Sequence, residues 1–125
     1  MNPLPNSVYV NYPVAITAIL GELNAHVGDT LLTKIEKYRK AIAQLDEIIV
    51  SMIVDADVAS LKALNTAIAV INLANMNFID LAKRSPEKGA YQAALNLMNV
   101  VVAVALKKDE LFAKRHPFYF RNKPH

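Results

Sequence analysis

The sequence predicts an all-α protein, an antiparallel bundle of one short and three long helices with extended N- and C-terminal arms. Three observations carry that expectation. Apolar residues recur at three- and four-residue intervals over long stretches. Cap residues, prolines and glycines punctuate those stretches so closely that little chain is left for loops. The one candidate strand, Val8 to Tyr12, has no partner elsewhere. At 125 residues the chain reads as a single domain, 1–125, with an N-terminal arm (1–12), a bundle (13–115) and a C-terminal arm (116–125). A chain of this size can bury about two thirds of its unfolded surface without disulfides.

The N-terminal arm sets Pro3, Pro5, Asn2, Asn6, Asn11 and Ser7 around Leu4, Val8, Tyr9, Val10 and Tyr12, a composition that opposes helix. From about Pro13 to Ala25, Ile16, Ile19, Leu20 and Leu23 have helical spacing, and Pro13 is tolerated in a first turn. His26-Val27-Gly28 is expected to end this helix, with Gly28 as a left-handed cap. Asp29 or Thr30 then caps a second helix whose apolar seam is Leu31, Ile35, Tyr38, Ile42, Leu45, Ile49 and Met52. Lys34, Glu36, Lys37, Lys40, Gln44 and Glu47 fall on its other side, with Glu36 and Lys40 spaced to pair, so this helix reads as one-sided and solvated.

Asp55-Ala56-Asp57 is the next cap, and the third helix should run to about Lys83. Its seam of Leu61, Leu64, Ile68, Ile71, Asn75, Phe78 and Ala82 contains one polar residue, Asn75. A buried asparagine there favours the register in which its amide finds a partner; a shifted seam would leave it at the rim. A second stripe, Ala63, Ala67, Val70, Ala74 and Leu81, invites close approach of another helix. Ser85-Pro86-Glu87 reads as N-cap, first-turn proline and dipole-matched acid of a fourth helix, which should end near Lys114 before His116-Pro117.

Within that fourth helix, Gly89 to Leu106 contains no charged side chain. Tyr91, Ala94, Met98, Val101, Ala105 and Phe112 share one face; Ala93, Leu97, Val100, Val104 and Leu111 share the next, and Leu95, Val102 and Leu106 cover a third direction. The remaining strip, Gln92, Asn96, Asn99 and Ala103, is polar or small but uncharged. A helix apolar nearly all round is normally buried nearly all round, so its surroundings largely decide what the protein does.

Composition narrows the function. Hydrophobic residues make up 54% of the chain and charged ones 20%, a core-rich balance for its size. Cysteine is absent, which excludes disulfides and thiolate metal sites. The net charge of +3 arises at one end: residues 1–106 carry eight basic and nine acidic side chains, and 107–125 six and two, or −1 against +4. No signal peptide is read at the N-terminus, which lacks a basic start and is broken by prolines.

No cofactor, metal or catalytic motif is found. Di-iron bundles need paired Glu and Glu-x-x-His ligands that do not occur here. Glu22 and His26, four apart, are too few to hold a metal alone; Asp55 and Asp57 lack the glycine and terminal glutamate of a calcium loop.

The expectation is therefore a non-enzymatic structural or assembly subunit, cytoplasmic or in a virion, that packs against itself or a larger complex. Its interface would use the uncharged strips Asn65, Asn72, Met76 and Gln92, Asn96, Asn99, with the arm aromatics Tyr9, Tyr12, Phe118, Tyr119 and Phe120. One alternative is a nucleic-acid-binding protein using Lys107, Lys108, Lys114, Arg115, Arg121 and Lys123 interleaved with the tail aromatics. Another is a membrane hairpin of the third and fourth helices, which Asn65, Asn72, Asn75, Asn77, Asn96 and Asn99 argue against.

Overall fold

In a computed structural model the described residues are 11–23, 30–55 and 58–115, and the side chains of 53–55 and 114–115 fall outside the description. They form four helices: α1 (Tyr12–Glu22), α2 (Leu31–Asp55), α3 (Val58–Arg84) and α4 (Ala90–Arg115). No strand occurs among the described residues. The protein is all-α, with one short and three long helices packed on one another. At 1.5 Å per residue the long helices each span roughly 40 Å and α1 less than half of that.

α4 lies against both α2 and α3, and these two also touch each other. α1 packs on α3 and α2 and not on α4, so it covers the opposite side of the α2–α3 pair. The core follows the predicted seams. Ile35, Ile42, Leu45, Ile49 and Met52 of α2 are buried, as are Leu64, Ile68, Ile71, Phe78 and Ala82 of α3 and Ala94, Leu97, Val101, Val104 and Phe112 of α4. Ile16 is the buried residue of α1, with Tyr12, Ile19, Leu20 and Leu23 half-buried beside it. Tyr38 meets Phe78 edge-on, ring centroids 5.0 Å apart, the geometry aromatic quadrupoles favour.

Asn75 is almost fully buried, and its Nδ2 donates to the Ala94 carbonyl oxygen of α4 at 3.0 Å. Of the two sequence expectations for this residue, the structure shows the paired one: the amide reaches a partner on the neighbouring helix and sets the level at which α3 and α4 meet. Its Oδ1 has no hydrogen-bond partner, a cost of about 1–3 kcal/mol for a buried acceptor.

The helix ends differ from the sequence expectation in instructive ways. Asn11 caps α1, its Oδ1 accepting from the Val14 N–H at 3.1 Å, so Tyr12, read as part of the arm, instead opens the helix. α1 stops at Glu22 with Leu23 as its right-handed C-cap, earlier than Ala25; the expected Gly28 cap lies outside the described residues. Thr30 is the N-cap of α2, its Oγ1 accepting from the Thr33 N–H at 3.2 Å. Asp55 ends α2, and Asp57 lies outside the described residues.

The fourth helix does not begin at Pro86. Residues 85–89 form a turn closed by Gly89 at φ +84°, and α4 starts at Ala90. The reason is the Glu87 carboxylate, which is not in a helical first turn of its own. It accepts from the Leu31 N–H at 3.1 Å and the Leu32 N–H at 2.8 Å, capping the start of α2 from more than fifty residues away. The Ser85 hydroxyl, expected as the N-cap of α4, accepts from the Glu87 N–H at 3.0 Å and holds that turn. A carboxylate on the free N–H groups of a helix start gains from both hydrogen bonding and the helix dipole.

Candidate interaction surface

α2 and the α3–α4 pair have very different exteriors. On α2, Lys34, Glu36, Arg39, Lys40 and Glu47 are exposed. Glu36 pairs with Arg39 rather than with the expected Lys40, and hydrogen bonding from Arg39 holds the Glu36 carboxyl below its ordinary value. α3 and α4 carry no charge across Ala63–Ile79 and Ala90–Leu106, and much of that length is open to solvent.

The predicted strip of α3 is there. Asn65, Ala69 and Met76 are exposed and Asn72 half-buried. Asn65, Ile68, Ala69 and Asn72 face Val101, Val102, Ala105 and Lys108 of α4 across a shallow groove of about 320 Å3. The predicted strip of α4, Gln92, Asn96 and Asn99, is exposed opposite its buried side, and Gln92 Nε2 donates to Asn96 Oδ1 at 3.0 Å. The two strips therefore lie on different sides of the α3–α4 pair: the α3 strip borders the groove, and the α4 strip does not line it.

Between the α4 strip and the groove lies the surface that the sequence reading missed. Tyr91, Met98, Val102 and Leu106 are 41%, 37%, 49% and 63% exposed, with Leu95 half-buried among them. Their spacing of four, three, four and four puts all five on one stripe of the helix. On α3, Leu73 and Met76 are 66% and 59% exposed. The expectation that α4 is buried nearly all round is thus not met within one chain: α2 and α3 cover the side carrying Ala94, Leu97, Val101 and Val104, and the stripe is left open. The heptad-like spacing was visible in the sequence. What it could not show is which apolar stripe the neighbours would take.

Of the aromatic residues expected at the interface, Tyr12 packs half-buried against the core, while Tyr9, Phe118, Tyr119 and Phe120 lie outside the described residues. The basic set is not assembled into a patch where it can be seen. Lys107 Nζ binds Asp46 of α2 at 3.0 Å, whereas Lys108 Nζ turns to the groove, 2.6 Å from Asn65 Oδ1 and 2.8 Å from Asp109. These two neighbours point to different sides of α4 and each meets an oxygen of the protein. The side chains of Lys114 and Arg115, and residues Arg121 and Lys123, lie outside the description.

Among the described residues no three His, Asp or Glu side chains come together to hold a metal; His26 of the Glu22–His26 pair lies outside them. α3 and α4 are each long and apolar enough to cross a membrane by length and hydropathy, a test that core helices of bundles also pass. Comparison with protein-family models, with curated proteins and with solved structures finds no match for this chain.

Proposed function

We propose that this chain is a non-enzymatic structural subunit that packs against copies of itself or into a larger protein assembly such as a virion, in the cytoplasm or in the particle. The observation that carries the reading is the uncharged exterior of α3 and α4 with its stripe of exposed Tyr91, Met98, Val102 and Leu106. Single exposed apolar residues are ordinary, but a continuous uncharged face along two long helices, beside a normally charged α2, is the composition of a contact surface.

In this reading the four helices form an antiparallel bundle, and the segments before α1 and after α4 are its arms. Support for the directions comes from the contacts. Asn75 meets Ala94 and Asn65 meets Lys108, so α4 rises as α3 descends, while Leu31 meets Glu87 and Asp46 meets Lys107, so α2 and α4 rise together.

A membrane hairpin of α3 and α4 is the second reading, favoured by their length and hydropathy. Against it stand α1 and α2 packed on those helices and the exposed Asn65, Asn77, Asn96 and Asn99, which hydrocarbon penalises. The nucleic-acid reading loses support from the protein partners of Lys107 and Lys108.

The test is mass in solution of the full chain and of a chain ending at His116, each with and without a single-stranded oligonucleotide. Assembly that needs no nucleic acid is the expected result. A monomer at high micromolar concentration that binds the oligonucleotide with a steep salt dependence would overturn it.

A further inference from the structure

From the order of side chains on α4 we infer that the open stripe is a two-fold interface between two copies of this chain, with the two α4 helices antiparallel and crossing near Met98–Asn99. The inference rests on the assembly reading above and names its partner.

The stripe is symmetric about its midpoint. A two-fold contact brings the same patch of both copies together, so the patch must be complementary to its own reversal. Reversed about the midpoint of Met98 and Asn99, the stripe matches itself: Tyr91 falls at the level of Leu106, Leu95 at the level of Val102, and Met98 beside its own copy. Every level pairs an apolar side chain with an apolar one. A parallel pairing would instead stack the two Lys88 at one end and the two Asp109 at the other.

The two ends of the stripe also differ in charge. The same reversal places Lys88, in the turn just before α4, at the level of Asp109 of the second copy. Both residues are exposed, and helical spacing puts Asp109 on the stripe. Each uncharged stripe is thus bounded by Lys88 at one end and at the other by Asp109, whose carboxylate also meets Lys108 Nζ of its own chain at 2.8 Å, in the order an antiparallel copy matches and a parallel one opposes. Glu110 and Glu87, which share a level, do not conflict: Glu110 lies off the stripe, and Glu87 is turned to the N-terminus of α2.

The face is also large enough. The uncharged length of α4 is about 25 Å, and with the flanking α3 the face is roughly 20 Å wide, so two copies bury on the order of 1,000 Å2, the threshold of a specific interface. The α3 contribution comes from Ala69, which lines the groove with Val102 and Ala105, and from Met76, exposed farther along the same strip.

The experiment uses the full chain, in four steps. Sedimentation equilibrium of the wild type should show a monomer–dimer equilibrium. Val102→Glu should weaken it by about 100-fold, the scale of a charge placed in the centre of an apolar contact, with an unchanged helical circular dichroism spectrum. Because the chain has no cysteine, single replacements then read the direction. Met98→Cys should form a disulfide with its own copy. Tyr91→Cys should not, since its two copies would sit about 22 Å apart along the helices, but it should cross-link to Leu106→Cys when the two variants are mixed. Lys88→Glu or Asp109→Lys alone should weaken the dimer, and both in the same chain should restore it.

The cysteine variants keep the proposal testable if Val102→Glu fails to fold. A wild type that assembles while Val102→Glu assembles equally well would overturn this interface and leave the assembly reading standing. Self-cross-linking of Tyr91→Cys would overturn the antiparallel arrangement. A wild type that stays monomeric overturns the two-fold interface and packing against copies of itself, and if it also floats with vesicles of phosphatidylcholine and phosphatidylglycerol, the stripe faces lipid.

Discussion

α2 and α4 are nearly equal in length, 25 and 26 residues, and both pack along their neighbours over most of it, yet their outer surfaces obey different rules. α2 is apolar on one side and charged on the other, which is the pattern of a helix that water solvates. α4 is apolar on the side it buries and, at Tyr91, Met98, Val102 and Leu106, apolar on a side it does not. The fold of one chain accounts for the seam of α2, leaving Leu32 and Val50 singly exposed on that helix, and for only one of the two apolar sides of α4. Stability explains Ala94, Leu97, Val101 and Val104; it does not explain the open stripe.

The largest effect that would sharpen this contrast is a pair of truncations on α4. Leu97→Ala, at a fully buried position, should lower unfolding free energy by about 2–5 kcal/mol, whereas Val102→Ala, on the open stripe, should change it by less than about 0.5 kcal/mol in dilute monomer. Urea melts at low and high protein concentration check both. If Val102→Ala proved as costly as Leu97→Ala in the dilute monomer, the stripe would belong to the core and the contrast would fail.

Next in size is the link between the two regions. Glu87→Ala removes the carboxylate that holds the Leu31 and Leu32 N–H groups and should cost about 1–2 kcal/mol, the range of a lost helix cap. Hydrogen exchange should quicken at the start of α2 and not at Ile42 or Leu45. Uniform quickening along α2 would show that the cap holds the whole packing rather than one helix end.

Asn75→Leu is expected to act in the opposite direction. It removes a buried acceptor that has no partner, at the loss of one hydrogen bond to Ala94, and should stabilise the chain by about 1 kcal/mol. Thermal melts of the variant against wild type decide it. A destabilised variant would mean that the amide's bond to α4 outweighs its unpaired oxygen.

The smallest effect concerns the charged face of α2. Arg39 holds the Glu36 carboxyl below its ordinary value of 4.5, so the pair's contribution is present above that value and fades as pH falls through the lowered one. Arg39→Ala should bring the Glu36 titration, followed by NMR, back toward 4.5. An unmoved titration would show that the pair is not formed in solution.

Much of this was legible in the order of the residues. Three-and-four spacing alone marked the buried seams of α2 and α3, while leaving Asn75 of the second open between a paired core position and the rim, because burial of one apolar stripe is what makes an amphipathic helix stable and its period is set by the backbone. The uncharged strips were equally visible, since charge is a property of composition. Helix starts were read less well. Ser85-Pro86-Glu87 has every local mark of a helix N-terminus, and a local rule cannot see that a second set of free N–H groups, at Leu31 and Leu32, lies within reach of the same carboxylate.

The sequence by itself therefore determined the helical class, the four helices of the described residues and the two seams, all consequences of local periodicity. Only the tertiary structure decided which of α4's apolar faces would be covered, because a helix that is apolar all round carries no information about direction. That choice was made by the partners. α2 and α3 take the side carrying Leu97 and Val101, α1 is spent on the far side of the α2–α3 pair, and nothing in the described chain remains to cover Tyr91, Val102 and Leu106.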